Sequence, residues 1–439
     1  MISTTVEIVD GVKLIHAKDI DLGYVSIYVV VDVGSLHDPI GKDGLAVLTV
    51  ASMCRGTKSR SYQQITDEIS DMGASLLYTA TVQYACIYGE VISRYVHQWG
   101  EIVADVLAHP VFAAKEVARE RSLALEQLRS LRDEDEKLAA YFYEQFLFPG
   151  HPISRLTVGN LNTVSHLTAA DCKQFHEAHF RKENMFVVVA GSIDEDGAKQ
   201  LVQKLTCDIS DGRTLRPAQE VPKPAKKRRI LLVDKPDRTQ SYVVMGHLSL
   251  DIFDSDLYGM IVGNAAFGGS DTARLFHEIR DVRGWSYFAY STLYAGPEFG
   301  TVRIEFAPPT DKTVQAIELV LHMMQQVAQN GLTDEEIEFF KAHLANEFPL
   351  SIETVSDLAW RKFSCEIDSL PFEYCERYPE NIKAVDNQTV NKALARWFKP
   401  QEATIVVVCS AFEIEHELRA TFPDDEITII PYTTIELTR

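Results

Sequence analysis

Apolar, β-branched runs recur along this chain in two matching series. The first opens with Val12 to His16, continues with Val25 to Val33 and closes with Phe186 to Gly191, FVVVAG. The second opens with Ile230 to Val233, continues with Tyr242 to Met245 and closes with Thr404 to Cys409, TIVVVC, about 218 positions after its counterpart. Runs of this kind, rich in Val and Ile, read as strands. Between opening and closing, each series carries stretches of helical period, such as Ala113 to Arg132 and Asp334 to Asn346. The pattern predicts a duplication: an α+β fold of two homologous halves, each a largely antiparallel sheet backed by helices. Alternation within the runs is incomplete, which predicts sheets covered on one face and partly exposed on the other.

The stretch 211–229, DGRTLRPAQEVPKPAKKRR, has three prolines, high charge and no apolar period. It reads as a linker. The expected organisation is therefore 1–210, a linker over 211–229, and a homologous 230–439.

Composition removes several classes of function. The length of 439 residues suits two or three ordinary domains. A formal net charge of -20 opposes binding to phosphate backbones, so no nucleic-acid partner is expected. The basic cluster Lys226, Lys227, Arg228 and Arg229 reads as a solvated linker end. The seven cysteines include no CxxC and are expected to be reduced, mostly buried thiols. The first residues lack a basic start and a continuous apolar stretch, and no apolar run approaches the roughly 18 residues of a membrane span. The expectation is a cytoplasmic chain without a membrane association, or a periplasmic one if a signal has been removed.

Candidate chemistry begins with an absence. Gly44 to Arg60, GLAVLTVASMCRGTKSR, has the frame of an inverzincin HxxEH helix, but Val47, Val50 and Ala51 stand at the two histidines and the glutamate. In ERSLALEQL, Gln127 stands where a third, carboxylate ligand belongs. Zinc hydrolysis needs three protein ligands, an open position for water and a nearby base. Two aliphatic side chains and a neutral amide supply none of the ligands, so no metal is expected in this chain, and Ala46 to Cys54 reads as a core helix. A second pair, His176 and His179, ends a predicted helix over Thr168 to His179, where histidines also suit the helix dipole; a metal role is the lesser reading.

The second half offers Gly268 to Ser291, GGSDTARLFHEIRDVRGWSYFAYS. Asp271 or Thr272 is expected to cap a helix running to about Val282, Gly284 to stop it, and Trp285 to Tyr290 to form the next strand. Arg280 then lies in the last helical turn and Tyr287 on the strand. Folded back, a guanidinium and a phenol could converge on one carbonyl or developing oxyanion. General preference of Arg for helix ends and Tyr for strands also explains both residues. Gly268 and Gly269 match no phosphate-binding pattern and read as a turn, and there is no GxSxG elbow.

Taken together, GSLHDPIGKDGLA followed by RGT, ERSLALEQL, HPISRLTVGN and IRDVRGWSY resemble the pitrilysin/insulinase-type metallopeptidases. The likeness is to the zinc-less subunit of the heterodimeric bacterial and mitochondrial-processing-peptidase-like branch, and it spans nearly the whole chain. It implies two α+β halves curved into half of a clamshell, with peptide substrates bound in extended form beside a sheet edge of a zinc-bearing partner. That partner would be a homologous HxxEH-bearing subunit, holding the zinc and the general base. Arg280 and Tyr287 match the family's arginine and tyrosine seven apart, and the resemblance implies that they reach substrate in trans. Glu120 matches the family's glutamate behind the metal ligands; without a metal it is expected to be only a helix-face carboxylate. The expected function is thus the non-zinc subunit of a heterodimeric peptidase, inactive alone. A non-catalytic scaffold or peptide-binding protein of the same fold is the alternative, and an independent hydrolase using His176 and His179 is a third reading.

Overall fold

The computed structural model of the chain describes residues 4–370, 374 and 376–436. Six strands form the first sheet: β1 Thr4–Val9, β2 Val12–Lys18, β3 Tyr24–Val31, β4 Leu77–Ala80, β5 Ala85–Ile92 and β6 Met185–Gly191. Their order is β1-β2-β6-β3-β5-β4. The second sheet contains β7 Arg229–Asp234, β8 Tyr242–Ser249, β9 Ala289–Ala295, β10 Gly300–Phe306, β11 Thr404–Cys409 and β12 Glu426–Pro431, in the order β12-β7-β11-β8-β10-β9. Five strands correspond between the sheets: β2 with β7, β6 with β11, β3 with β8, β5 with β10 and β4 with β9.

The sixth strands differ. β1 forms a hairpin with β2 through Asp10 and Gly11, whose φ values of 50° and 87° fit the two-residue turn that Asp-Gly favours. β12 instead returns from the other end of the half and pairs in parallel with β7. In the first sheet only β2 and β6 run parallel, whereas in the second β7 is parallel to both β11 and β12.

Six helices cover these sheets or carry the residues singled out in the sequence: α1 Leu45–Met53, α2 Ala114–Ser130, α3 Asp135–Leu147, α4 Ala169–His179, α5 Leu257–Gly268 and α6 Val355–Ile367. On one face of the first sheet, α1, α2 and α4 join a core with Leu14, Val25, Ile27, Val187 and Val189. Helix α5 does the same for the second sheet with Val243, Met245 and Ile405.

The opposite faces are covered too, which corrects the expectation of partly exposed sheets. Every residue of β6 and β11 is buried, because runs such as FVVVAG and TIVVVC present apolar side chains to both sides. The covering helices are exchanged between the halves. Leu138, Phe142 and Tyr143 of α3 lie against Leu231, Val233, Val244, Val406 and Val408 of the second sheet. Val355, Ala359, Phe363 and Ile367 of α6, at helical spacing of four, lie against Ile15, Ala17, Val30, Phe186 and Val188 of the first.

Polar contacts fasten the exchange. The buried Lys235 Nζ donates to Arg132 O and to Asp135 Oδ1, both at 2.6 Å, which ties the start of α3 to the end of β7. Gln83 Nε2 donates to Asp368 Oδ1 at 2.8 Å, just past α6.

The connecting stretch 211–229 is irregular as expected, yet it is pinned rather than loose. Arg216 pairs with Asp32 at 2.9 Å, and Glu220 O is 2.8 Å from His151 Nε2. The basic cluster is solvated only at Lys226 and Lys227. Arg228 grips Asp425 through two bonds of 2.5 and 3.2 Å, and Arg229 lies over the Phe146 ring at 4.9 Å.

Cys54, Cys86, Cys172 and Cys409 are buried free thiols and Cys207 is an exposed one, but Cys365 is disulfide-bonded, against the expectation of reduced cysteines throughout. Cys375 lies outside the described residues. Among the described residues no helix is long and apolar enough to cross a membrane.

Because each sheet depends on a helix from the other half, damage to a cover should destabilise both halves together. Phe142→Ala, at 3% exposure, should cost about 3–5 kcal/mol. Urea unfolding followed by both circular dichroism and tryptophan fluorescence should still give one transition; two separated transitions would show that the halves unfold independently.

Candidate functional site

Helix α1 begins at Gly44, whose φ of 94° and whose closeness to Val158 O, 2.6 Å from where a Cβ would sit, leave room only for glycine. The buried Asp38 carboxylate accepts from Gly44 N and Ala46 N, each at 2.8 Å, and so satisfies the helix start. Burial pushes the Asp38 carboxyl up to about 7, against those two hydrogen bonds. Val50 and Ala51 are buried, at 1% and 7% exposure, and Val47 is half-buried. Gln127 faces solvent on α2. No atom at these four positions except the Gln127 amide oxygen is a zinc donor, and an amide is a weak one. This position does not fit the metal. Among the described residues, no group of three or more His, Cys, Asp or Glu side chains is arranged to hold an ion.

Glu120 differs from the expectation of a plain helix-face carboxylate. It is buried, at 6% exposure, and its Oε1 lies 2.5 Å from Arg55 Nη2. The Arg55 guanidinium rests over the Tyr62 ring at 4.3 Å, and Tyr78 OH donates to Glu120 Oε2 at 3.5 Å. Burial works against the charge on Arg55, but Glu120 raises its pKa overall. A guanidinium thus supplies the positive charge beside this carboxylate, and the pair is neutral. The sequence spacing held no sign of it, since 65 positions separate the partners.

His176 and His179 do not converge on one point. His176 Nε2 is 2.7 Å from Leu107 O, and its ring packs beside Phe112 and Phe180, with centroids 5.8 and 4.7 Å away. The His179 ring lies instead against Phe175 at 4.5 Å and His37 at 5.4 Å. Burial lowers the pKa of both, that of His179 to about 4. Their surroundings are those of structural histidines.

The segment around Arg280 departs from a plain helix and strand. A single turn, Arg274–Phe276, passes directly into a π-helix, His277–Val282, a rare form often found at functional sites. Neither Asp271 nor Thr272 caps it: the turn begins at Ala273 without a side-chain cap. Asp271 Oδ1 accepts from Tyr290 OH at 2.7 Å, and Thr272 Oγ1 is 3.0 Å from Ser270 Oγ. Gly284 ends the helix as expected, with φ of 64° and its N–H on Arg280 O at 2.9 Å.

The strand starts at Ala289, so Tyr287 precedes it instead of lying within it. Ser286 is the reason. Its buried hydroxyl donates to Phe288 O at 2.6 Å and accepts from Ala307 N at 3.0 Å, building a bend from side-chain bonds. At the crest of that bend Tyr287 is 85% exposed.

Three arginines occupy this segment, and two are paired. Arg274 makes a bidentate contact with Glu336, at 2.5 and 2.6 Å, and Arg283 bonds to Glu278. Arg280 has no hydrogen bond or ion pair among the described residues; its guanidinium lies over Phe276, 4.9 Å from the ring centroid, and is open to solvent. No hydrogen bond joins it to Tyr287. Both side chains are available to something outside this chain, each as a donor of hydrogen bonds.

The sequence matches the family model described as "Insulinase (Peptidase family M16)" over residues 18–157 and the one described as "Peptidase M16 inactive domain" over residues 166–344. Among curated relatives, an uncharacterized zinc protease of Mycobacterium tuberculosis is 26% identical over 373 residues, covering 84% of this chain and 85% of the relative. One from Bacillus subtilis is 20% identical over 399 residues, covering 91% and 96%. Among solved structures, a peptidase M16 inactive domain from Pseudomonas fluorescens superposes with a TM-score of 0.85 at 21% identity, over 92% of this chain and 98% of that one. The first half of the periplasmic protease PqqL from Escherichia coli gives 0.76 at 15% identity, over 97% and 98%. At these identities the structural likeness concerns the fold alone.

The first-half geometry makes two outcomes testable. Glu120→Gln strands a buried Arg55 charge and should cost about 3–5 kcal/mol in urea unfolding, whereas Gln127→Ala, on the surface, should stay within about 0.5 kcal/mol. Equal effects would mean that the Arg55–Glu120 pair contributes nothing. For His179, the folded pKa of about 4 lies below the usual 6.5. The stability attached to its neutral ring is therefore present above about 6.5 and lost as pH falls toward about 4. Melting temperatures from pH 7 to 4.5 should fall more steeply in the natural chain than in His179→Gln; parallel curves would refute the assignment. The opposing contribution of Asp38 is common to both proteins.

Proposed function

The chain belongs to peptidase family M16, the insulinase family, and on that premise we propose that it is the non-zinc subunit of a two-chain zinc peptidase. The observation that carries this reading is Arg280: alone among the arginines of its segment it has no carboxylate partner among the described residues, on a π-helix, four residues before a glycine stop that turns the chain toward the exposed Tyr287. A homologous HxxEH-bearing partner would hold the zinc and the glutamate base. Zinc there supplies an activated water and polarises the scissile carbonyl.

This chain's own part is donation. Arg280 offers up to five N–H groups and Tyr287 one O–H to the carbonyl oxygen as it gains negative charge, where donors fixed in advance are worth most. The two need not touch each other beforehand; each needs only to reach the same oxygen across the chamber. Peptides are the substrate class, held in extended form against the partner.

The scaffold or peptide-binding reading keeps some support from the distance between Arg280 and Tyr287, which no hydrogen bond joins in this chain. It leaves unexplained why Arg280 is unpaired. As to compartment, the disulfide at Cys365 weighs against a reducing cytoplasm and favours the periplasmic alternative.

Cleavage of a mixed fluorogenic peptide library should appear only when this chain, its HxxEH-bearing homologue and zinc are combined. Arg280→Ala should then lower turnover of the pair by roughly 10²-fold, the loss typical of one oxyanion donor. No gain on mixing would favour the scaffold, and unchanged turnover in the variant would remove Arg280 from the mechanism.

A further inference from the structure

We infer that Tyr290 and Asp271 are positioning residues for Arg280, an inference that rests on the reading of Arg280 as a donor to substrate. The guanidinium sits on Phe276, itself 3% exposed. Phe276 leans on the Tyr290 ring at 5.9 Å, and Tyr290 stacks on Phe288 at 6.3 Å with 16° between the planes. Phe288 in turn lies 5.8 Å from Tyr242 on β8. The seat of Arg280 is therefore the end of an aromatic row that runs from Tyr242 on β8 through Tyr290 on β9, with β10 between the two strands.

One hydrogen bond fixes the exposed member of that row. Tyr290 OH donates to Asp271 Oδ1 at 2.7 Å, across 19 positions of sequence. Asp271 precedes a helical turn that has no side-chain cap, and Tyr290 lies on β9, so the bond closes the whole helix and bend segment into a loop with Arg280 inside it. The buried Leu275 and Ile279 anchor the opposite face of that segment. Tyr290 is itself 38% exposed, and without the bond its ring is free to turn toward water and loosen the Phe276 seat. A guanidinium on a loose seat samples more rotamers and spends less time where the oxyanion forms.

The phenol registers both neighbours. The Asp271 bond raises its pKa, and the charge on Arg280 acts in the opposite sense. The role is indirect: Tyr290 and Asp271 hold the donor and do not touch substrate.

The test uses the assembled pair of this chain with its HxxEH-bearing homologue, zinc and a fluorogenic peptide that the pair cleaves, with kcat and KM measured separately. Tyr290→Phe, which keeps the ring and loses the hydroxyl, and Asp271→Ala should each lower kcat about tenfold and leave KM within about twofold. Asp271→Asn, which still accepts the phenol's hydrogen bond, should recover most of that loss. In an Arg280→Ala background, Tyr290→Phe should lower kcat no further, because the group it positions is gone. An equal drop in both backgrounds would identify a general loss of folding and overturn the inference, as would an unchanged kcat in Tyr290→Phe where Arg280→Ala is strongly impaired. If Arg280→Ala itself keeps full kcat, the functional reading fails and this inference falls with it.

Discussion

Two central strands that are apolar on both faces govern this architecture. FVVVAG in β6 and TIVVVC in β11 bury every side chain they carry, so neither sheet is stable with water on one side. Each half provides a helical layer for one face only. The other face is covered by a helix borrowed from the other half, α3 over the second sheet and α6 over the first. That exchange makes the two halves a single packing problem. It also relieves the stretch 211–229 of any need to hold the halves together, which is why that stretch can stay irregular and prolines are tolerated in it.

The same exchange fixes where the two chemically interesting regions stand. The α1 region, with Arg55 and Glu120, and the segment bearing Arg280 belong to different sheets, and they keep a constant relation only because α3 and α6 cross between those sheets. In such a frame, Val50 and Ala51 are buried and Val47 half-buried in a core helix that carries no metal ligands at these positions. Glu120, a buried carboxylate on α2, has a guanidinium as its counter-charge. A buried carboxylate needs a counter-charge or hydrogen-bond donors: Arg55 serves Glu120, and two backbone N–H groups serve Asp38.

The duplication was legible because β-branched runs identify central strands from composition alone. Edge strands were not, since β1 and β12 alternate buried and exposed positions weakly and their pairing depends on which end of each half supplies them. Helix α6, with its apolar stripe at Val355, Ala359, Phe363 and Ile367, was not singled out in the sequence, and such a stripe does not say which sheet it faces. The loss of the zinc ligands could be read directly, residue by residue. The strand expected at Tyr287 failed for a specific reason: Trp-Ser-Tyr-Phe has strong strand preference, and the Ser286 hydroxyl overrides it by bonding to Phe288 O and Ala307 N. Side-chain bonds of that kind compete with ladder pairing and leave no trace in periodicity.

An exposed arginine is not by itself evidence of anything, because water solvates it well and surface ion pairs are worth little. What distinguishes Arg280 is the disposition of the acids around it. The chain holds 63 Asp and Glu against 43 Lys and Arg, so carboxylates are plentiful along it. Three lie within nine positions of Arg280, and each is committed elsewhere: Asp281 to His277 at 3.4 Å, Glu278 to Arg283, and Asp271 to Tyr290 at 2.7 Å. The outcome is a guanidinium that spends none of its donors on the described residues, on an aromatic seat, in a strongly acidic protein. That arrangement suits the role proposed for Arg280, in which an unpaired guanidinium meets a developing negative charge on a peptide carbonyl.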